Sequence, residues 1–265
     1  MNSFHKPTPN RAHWVYTHPR LDSLNRRLLR AGSAALSDRY EVTVSDLYAD
    51  SFRPALDERD LGSFAAVPGN VAELTGKAYE RGEVSTDVRQ EQENLAAAEL
   101  LVLQFPLWWY GPPAMTKGWI DRVLQTGFAQ GEFDESTGLP RRYGDGRLIN
   151  RKALIVVTAG DDSRTLGPRG VSGDIDSLLF PLTHGALWYV GMDVLDLHVV
   201  YDADGLDETH RSAESERLVQ RLAEVHTETG IGYRRLLDGD YGRTSRALRE
   251  EILPGRTDLG VHVGA

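Results

Sequence analysis

The chain has 265 residues, 40% of them hydrophobic and 26% charged, and its 30 Lys+Arg stand against 39 Asp+Glu for a formal charge of −9. That fits a globular chain of one or two domains with a sizeable core. The acidic balance argues against nucleic acid or anionic lipid as a partner, because both need a basic footprint. The lack of cysteine excludes disulfides, thiolate catalysis, iron–sulfur clusters and cysteine-ligated zinc.

Met1–Asn10, with two prolines, reads as a flexible tail without the apolar run of a signal peptide. His13–Thr17 is a short apolar and aromatic strand, followed by the polar turn His18-Pro19-Arg20-Leu21-Asp22-Ser23. Leu24, Leu28, Ala31 and Ala35 then recur at helical spacing, and Tyr40–Ser45 alternates as a second strand. Residues 48–85 are irregular, and a connection this long needs a function or short helices of its own. Thr86-Asp87 opens a helix. Leu100–Phe105 is a continuous apolar run, the pattern of a strand buried on both faces. After Pro106–Pro113 a helix carries Met115, Trp119 and Val123 on one side. Residues 131–151 form a Gly-rich loop, Ala153–Thr158 a fourth strand, and Asp174–Val190 an apolar helix broken at Pro181. Met192–Val200 is a fifth strand and Glu208–Glu228 an amphipathic helix. Residues 229–265 read as an extension that packs on the domain or on a second copy. The longest apolar stretch, Leu100–Met115, is interrupted by Gln104, Pro106 and Gly111–Pro113, short of the ~18 residues that span a bilayer. We therefore expect no membrane insertion and a cytoplasmic protein. Five alternations of strand and helix argue for α/β architecture with a parallel sheet.

In such sheets ligands bind at the carboxyl ends of strands, and three strand ends are unusual. The first, His18–Asn25, runs into a helix, where Ser23 and Asn25 sit beside free amides and the positive end of the helix dipole. That suits a phosphate; simple capping by Asp22 or Ser23 explains the same residues. The second, Pro106–Gly111, sets Trp108, Trp109 and Tyr110 in a row. They suit a flat heteroaromatic ligand, an aromatic plug or a dimer interface. The third, Thr158–Gly173, holds Gly160, Gly167, Gly170 and Gly173, which permit close backbone approach. Their spacing is neither G-x-G-x-x-G nor Walker A. There is no G-x-S-x-G elbow, and the eight histidines lack metal-ligand spacing, so no metal is expected. The basic run Arg141 to Lys152 reads as a solvated loop.

Taken together, the three loops resemble those of the NAD(P)H:quinone oxidoreductases of the flavodoxin-like superfamily. The likeness is most specific at Gln104–Val123, QFPLWWYGPPAMTKGWIDRV. It extends to His18 with Ser23-x-Asn25, to Ser45-Asp46-Leu47-Tyr48-Ala49 and to Gly170-x-x-Gly173-Asp174. It covers roughly residues 13–225 and is weaker through 50–85 and 131–150. It implies a doubly wound, five-stranded parallel sheet of order 2-1-3-4-5 in a flavin domain spanning 11–228, with the C-terminal extension added.

By the same resemblance the cofactor is FAD, with FMN as the alternative. His18, Ser23, Leu24 and Asn25 line its phosphate chain, and Arg211 lies near an adenosine half. Pro106, Leu107, Trp108, Trp109 and Tyr110 meet the ring through backbone amides and an apolar wall. Thr158, Ala159, Gly160, Asp161 and Leu166 border its other edge. Trp109, Tyr110, Phe128 and Gly160 face the substrate. In the eukaryotic enzymes of the family a tyrosine and a histidine on the third loop stabilise charge on the reduced ring; this chain has Leu166 and Ser172 there. We expect Ser172 or water to fill that catalytic role in part, and donors at 107–110 and 159–160 to offset the charge. Gln130 and Glu132 replace two aromatic cavity positions, and Asp161 replaces a glycine. The resemblance further implies a homodimer with shared sites and ping-pong hydride transfer from NAD(P)H to a quinone-like acceptor. Its alternatives are an azo- or nitro-compound reductase and a flavin-binding regulatory partner of a potassium-efflux transporter.

Overall fold

A computed structural model of the chain describes residues 10–264. Of the expected N-terminal tail only Asn10 falls among them, and it opens the first strand. The elements in order are β1 (Asn10–Tyr16), α1 (Leu24–Leu36), β2 (Tyr40–Asp46), α2 (Val71–Glu80), α3 (Thr86–Ala97), β3 (Leu100–Pro106), α4 (Ala114–Val123), β4 (Lys152–Thr158), α5 (Ile175–Leu182), β5 (Asp193–Val194), β6 (His198–Val200) and α6 (Glu208–Glu224). The sheet is parallel throughout, in the order β2-β1-β3-β4-β5, with β6 also on β4. This is the flavodoxin-like doubly wound arrangement the resemblance implied.

The expected fifth strand, Met192–Val200, is two short pieces. Ala153 pairs with Val194 and Val156 with His198, so four steps on one strand face three on β4. The extra residue is a bulge that interrupts the ladder. The helix expected to break at Pro181 instead runs through it and widens into a π-helical turn, Thr183–Trp188. Proline has no N–H to give the preceding turn, and the widened turn follows directly.

Side chains alternate across the sheet and build two cores. Val15, Leu101, Leu103, Phe105, Ile155 and Val157 face α3, α4 and α5. Trp14, Tyr16, Leu100, Val102, Leu154 and Val156 lie in the core that holds Leu28 of α1 and Leu218 of α6, and those two helices pack together. β3 is buried along its whole length, as expected of a central parallel strand.

The long 48–85 connection holds two 3₁₀ turns and α2. It is fastened by Arg122 of α4, which is fully buried. Its guanidinium donates to Asp60 (2.7 Å), Asp87 (3.0 Å), Ser85 (3.0 Å) and the carbonyl of Arg53 (2.6 Å). Burial alone would raise the Asp60 carboxyl; hydrogen bonds from Arg122 and the Asp57 amide outweigh it and hold it below the usual carboxylate range. Gly118 lets this segment approach α4, since a Cβ there would stand 2.1 Å from the Pro54 carbonyl oxygen.

The extension after residue 228 packs on the domain. The Ile231 amide donates to the Val194 carbonyl and the Tyr233 hydroxyl to Thr183 Oγ1. Tyr233 enters the first core.

In β6 the buried His198 Nε2 has no partner among the described residues. Burial, reinforced by Arg217 and Arg221, pushes this imidazole down to about 3. The stability this neutral form contributes is therefore fully present above pH 6.5 and is lost progressively as pH falls from 6.5 toward about 3, because the unfolded chain takes up the proton first. At pH 5 the loss is about 1–2 kcal/mol. Replacing His198 with Leu should remove that share of the acid sensitivity. Urea denaturation at pH 7 and pH 5 measures it: wild type should lose more stability between the two than the variant.

Candidate functional site

The carboxyl ends of β1, β3 and β4 are tied by one buried amide, Gln104, which has no solvent exposure. Its Oε1 accepts from Trp14 Nε1 (2.9 Å), and its Nε2 donates to the Asn25 carbonyl (2.7 Å). Asn25 Nδ2 in turn donates to Thr158 Oγ1 (2.7 Å). Thr158 also accepts the Leu107 amide at its carbonyl, and Val200 accepts the Ala159 amide (2.8 Å each). The three loops picked out in the sequence therefore leave the sheet as one rigid floor.

Above it lies a cleft of about 310 Å³. Its lining includes His18, Ser23, Leu24, Asn25, Pro106, Leu107, Trp108, Thr158, Gly160 and Arg211, all expected site residues. It also includes Arg20, Ala203 and Asp204, which sequence reasoning missed. Ala203 and Asp204 follow β6, so the strand-end rule applied to the fifth strand was the available signal.

Ser23 caps α1, accepting from the Arg26 amide (3.1 Å) and donating to the Arg20 carbonyl (3.0 Å). Capping and anion binding are compatible, because the first-turn amides of Leu24 and Asn25 have no intrahelical acceptor. His18 is pulled down chiefly by burial, and its Nδ1 accepts the Arg20 amide (3.1 Å), so it sits neutral at neutral pH. Arg211 is held by a hydrogen bond from its Nε to the Leu206 carbonyl (2.8 Å).

The aromatic row is a two-residue turn. Trp108 and Gly111 exchange backbone hydrogen bonds of 3.1 Å each, and the residues between them, Trp109 and Tyr110, have φ of +50° and +58°. Two positive φ values at the centre of such a turn normally call for Asn-Gly. Two bulky residues there store about 1–3 kcal/mol each. Trp109 is 97% exposed.

The turn also consumes donors that a ligand was expected to use. The amides of Leu107, Trp108 and Ala159 are spent inside the chain. Among the described residues, those of Trp109, Tyr110 and Gly160 have no acceptor.

On the third loop, Leu166 turns inward and packs in the core, so its side chain borders no cleft. Apolar burial decides this. Asp161 and Ser172 lie together, with Ser172 Oγ 2.8 Å from Asp161 Oδ2 and 3.1 Å from the Tyr110 hydroxyl. Phe128 is not brought to the cleft of its own chain: it is buried beside Tyr79, ring centroids 6.2 Å apart.

Residues 10–224 match the family model described as flavodoxin-like fold. The chain is 37% identical to a putative quinone reductase from Klebsiella pneumoniae of known structure, with TM-score 0.88 over 96% of this chain and 100% of that one. It is 34% identical over 220 residues to the human ribosyldihydronicotinamide dehydrogenase [quinone], covering 82% of this chain and 92% of that protein. It is likewise 34% identical to NAD(P)H dehydrogenase [quinone] 1 of Rattus norvegicus, over 83% and 79%.

The Gln104 amide makes a direct test of the floor. Gln104→Leu leaves Trp14 Nε1 buried without a partner and cuts the tie to the Asn25 carbonyl, which costs about 1–3 kcal/mol. Urea titration should show a lower midpoint with an unchanged slope.

Proposed function

The chain belongs to the flavodoxin-like fold family, and from that membership we propose a flavin-dependent NAD(P)H:quinone oxidoreductase. The observation that carries the reading is the cleft itself. A helix N-terminus, a flat strained aromatic turn and a glycine-bearing loop meet on one floor fixed by Gln104. The shared identity with quinone reductases across most of the chain supports the same chemistry.

The residues fit a flavin mononucleotide portion. The first turn of α1 offers amides and a positive dipole end for phosphate. The unspent amides of Trp109, Tyr110 and Gly160 suit the polar edge of a ring, where they offset negative charge without reorganising. Trp109 and Tyr110 supply apolar faces that exclude water. The chemistry supplied by a bound flavin is hydride acceptance from a reduced nicotinamide and hydride return to a flat acceptor. One cavity serving both partners implies ping-pong turnover.

We assign FAD over FMN because Arg211, Ala203 and Asp204 extend the cleft past α1 toward α6, where a longer ligand needs protein. We also propose a homodimer. A groove of about 470 Å³ runs over α2, α4 and the π-turn, lined by Leu56, Val71, Ile120, Leu124, Gln130 and Tyr189 among others, and a second copy would cover it. Gln130 lies two residues from Phe128 in sequence, so this face would bring the segment that carries Phe128 toward the partner. No described helix is long and apolar enough to cross a membrane, and a cysteine-free chain suits the reducing cytoplasm in which we place the enzyme.

The test is the visible spectrum of the purified protein, mass identification of the released cofactor, and NADPH oxidation with a quinone. A yellow protein with steady turnover supports the reading. A colourless protein that takes up neither flavin on titration overturns it, and flavin binding without turnover would favour the regulatory-partner role. Arg211→Ala should weaken FAD about tenfold or more, the worth of one charge-assisted hydrogen bond, and leave FMN nearly unchanged. Fluorescence titration of the flavin-free chain with each nucleotide separates the two.

A further inference from the structure

We propose that Tyr110, Ser172 and Asp161 form a clasp that holds the aromatic turn in its strained conformation over the cleft, making Ser172 and Asp161 positioning residues. The proposal deepens the flavin reading and rests on it for its consequence, although the clasp itself is a property of the chain alone.

The direction of the clasp follows from proton counting. An ionised carboxylate only accepts, so Ser172 must donate to Asp161 Oδ2 at 2.8 Å. A serine hydroxyl has one proton. Tyr110 must therefore be the donor in its 3.1 Å hydrogen bond to Ser172 Oγ. The order is Tyr110 to Ser172 to Asp161, and it ends on a charge, which strengthens the bonds leading into it. Ser172 thus has no proton left for a ring, and the role of neutralising charge there falls to the free amides. This revises the catalytic role expected of Ser172 from the sequence.

The anchor end is fixed by backbone. The Asp161 carbonyl accepts the Asp202 amide at 3.0 Å, and the Ser172 amide donates to the Thr165 carbonyl at 3.2 Å. Gly170 permits that fold, since a Cβ there would stand 1.9 Å from the Thr165 oxygen. The held end is the turn whose two central residues have positive φ. Only two backbone hydrogen bonds, between Trp108 and Gly111, close the turn from within, and Trp109 makes little packing of its own at 97% exposure. Something outside the turn must offset its strain; the His18 ring lies 6.5 Å from Trp108 at the turn's base, and the Tyr110 hydroxyl is where another segment reaches its strained centre by a hydrogen bond. The residue types in the clasp are specific: phenylalanine at 110 or alanine at 172 would break it, and a glycine at 161 would leave it without its charged end.

Two readouts test the clasp. Hydrogen exchange on the full chain without flavin reports the Trp108 and Gly111 amides, and fluorescence titration reports FAD affinity. Tyr110→Phe and Ser172→Ala should each speed exchange at those two amides about tenfold, the worth of one net hydrogen bond, and weaken FAD by a similar factor. The double variant should be no worse than either single one, because both remove the same interaction. Ser172→Thr keeps a hydroxyl and should keep exchange slow, Asp161→Asn keeps an acceptor without the charge and should speed exchange only in part, and Asp161→Ala should speed it more. Unchanged exchange in Ser172→Ala, or additive effects in the double variant, would overturn the clasp. Failure of the flavin reading would look different: no FAD uptake by any variant, with the exchange pattern intact.

Discussion

The site depends on one buried amide. Gln104 lies at the end of the central strand β3, where no water reaches it, so each of its polar atoms must be satisfied by the chain. The geometry satisfies them with an indole from β1 and a backbone carbonyl from α1. That arrangement makes three loops interdependent. Loops are ordinarily the mobile parts of a fold, but here the bases of all three are fixed by hydrogen bonds whose loss would leave buried groups unpaired. Position at the cleft is inherited from the sheet, and the pairing register of β1, β3 and β4 is therefore also the register of the site.

The electrostatics show why a net charge says little about a cleft. A chain of −9 presents at this one place a helix N-terminus and Arg211, beside Asp204 and an Arg20 whose guanidinium is paired with Asp22. His18 adds no charge, because burial keeps it neutral. The anion-attracting character there comes mostly from oriented backbone amides, which carry no formal charge and vanish from any count of residues. The acidic surface and the phosphate-suited cleft coexist because the dipole acts only within about the first turn of the helix.

Most of the architecture was legible in the sequence because its causes are local. β3 and β4 announce themselves as unbroken apolar runs, α3 begins at the expected Thr86, and the three strand-end loops follow from the α/β pattern. What escaped has non-local causes. The bulge between β5 and β6 depends on pairing with β4, and the order within residues 48–85 depends on Arg122, distant in sequence and looking like an ordinary helix arginine. Leu166 stands at a motif position that faces the ring, whereas its apolar side chain follows the core. The amides of Leu107, Trp108 and Ala159 looked available because a sequence does not show which backbone donors the fold has already spent. Phe128 fits its expected role only if a second chain is present, which one sequence leaves open.

Two large side chains in left-handed conformations, one of them a fully exposed indole, raise the free energy of the isolated chain on two counts: backbone strain and apolar surface in water. An asparagine–glycine pair would make the same turn without either cost. Retaining tryptophan and tyrosine makes physical sense where the rings acquire a neighbour, because an indole face removed from water contributes at about 25 cal/mol per Å² of covered area. A flat ligand on one side and a second copy of the chain on the other would cover both faces. Cofactor binding and dimer formation would then draw on the same two residues, and each would make the other more favourable by completing the same apolar enclosure.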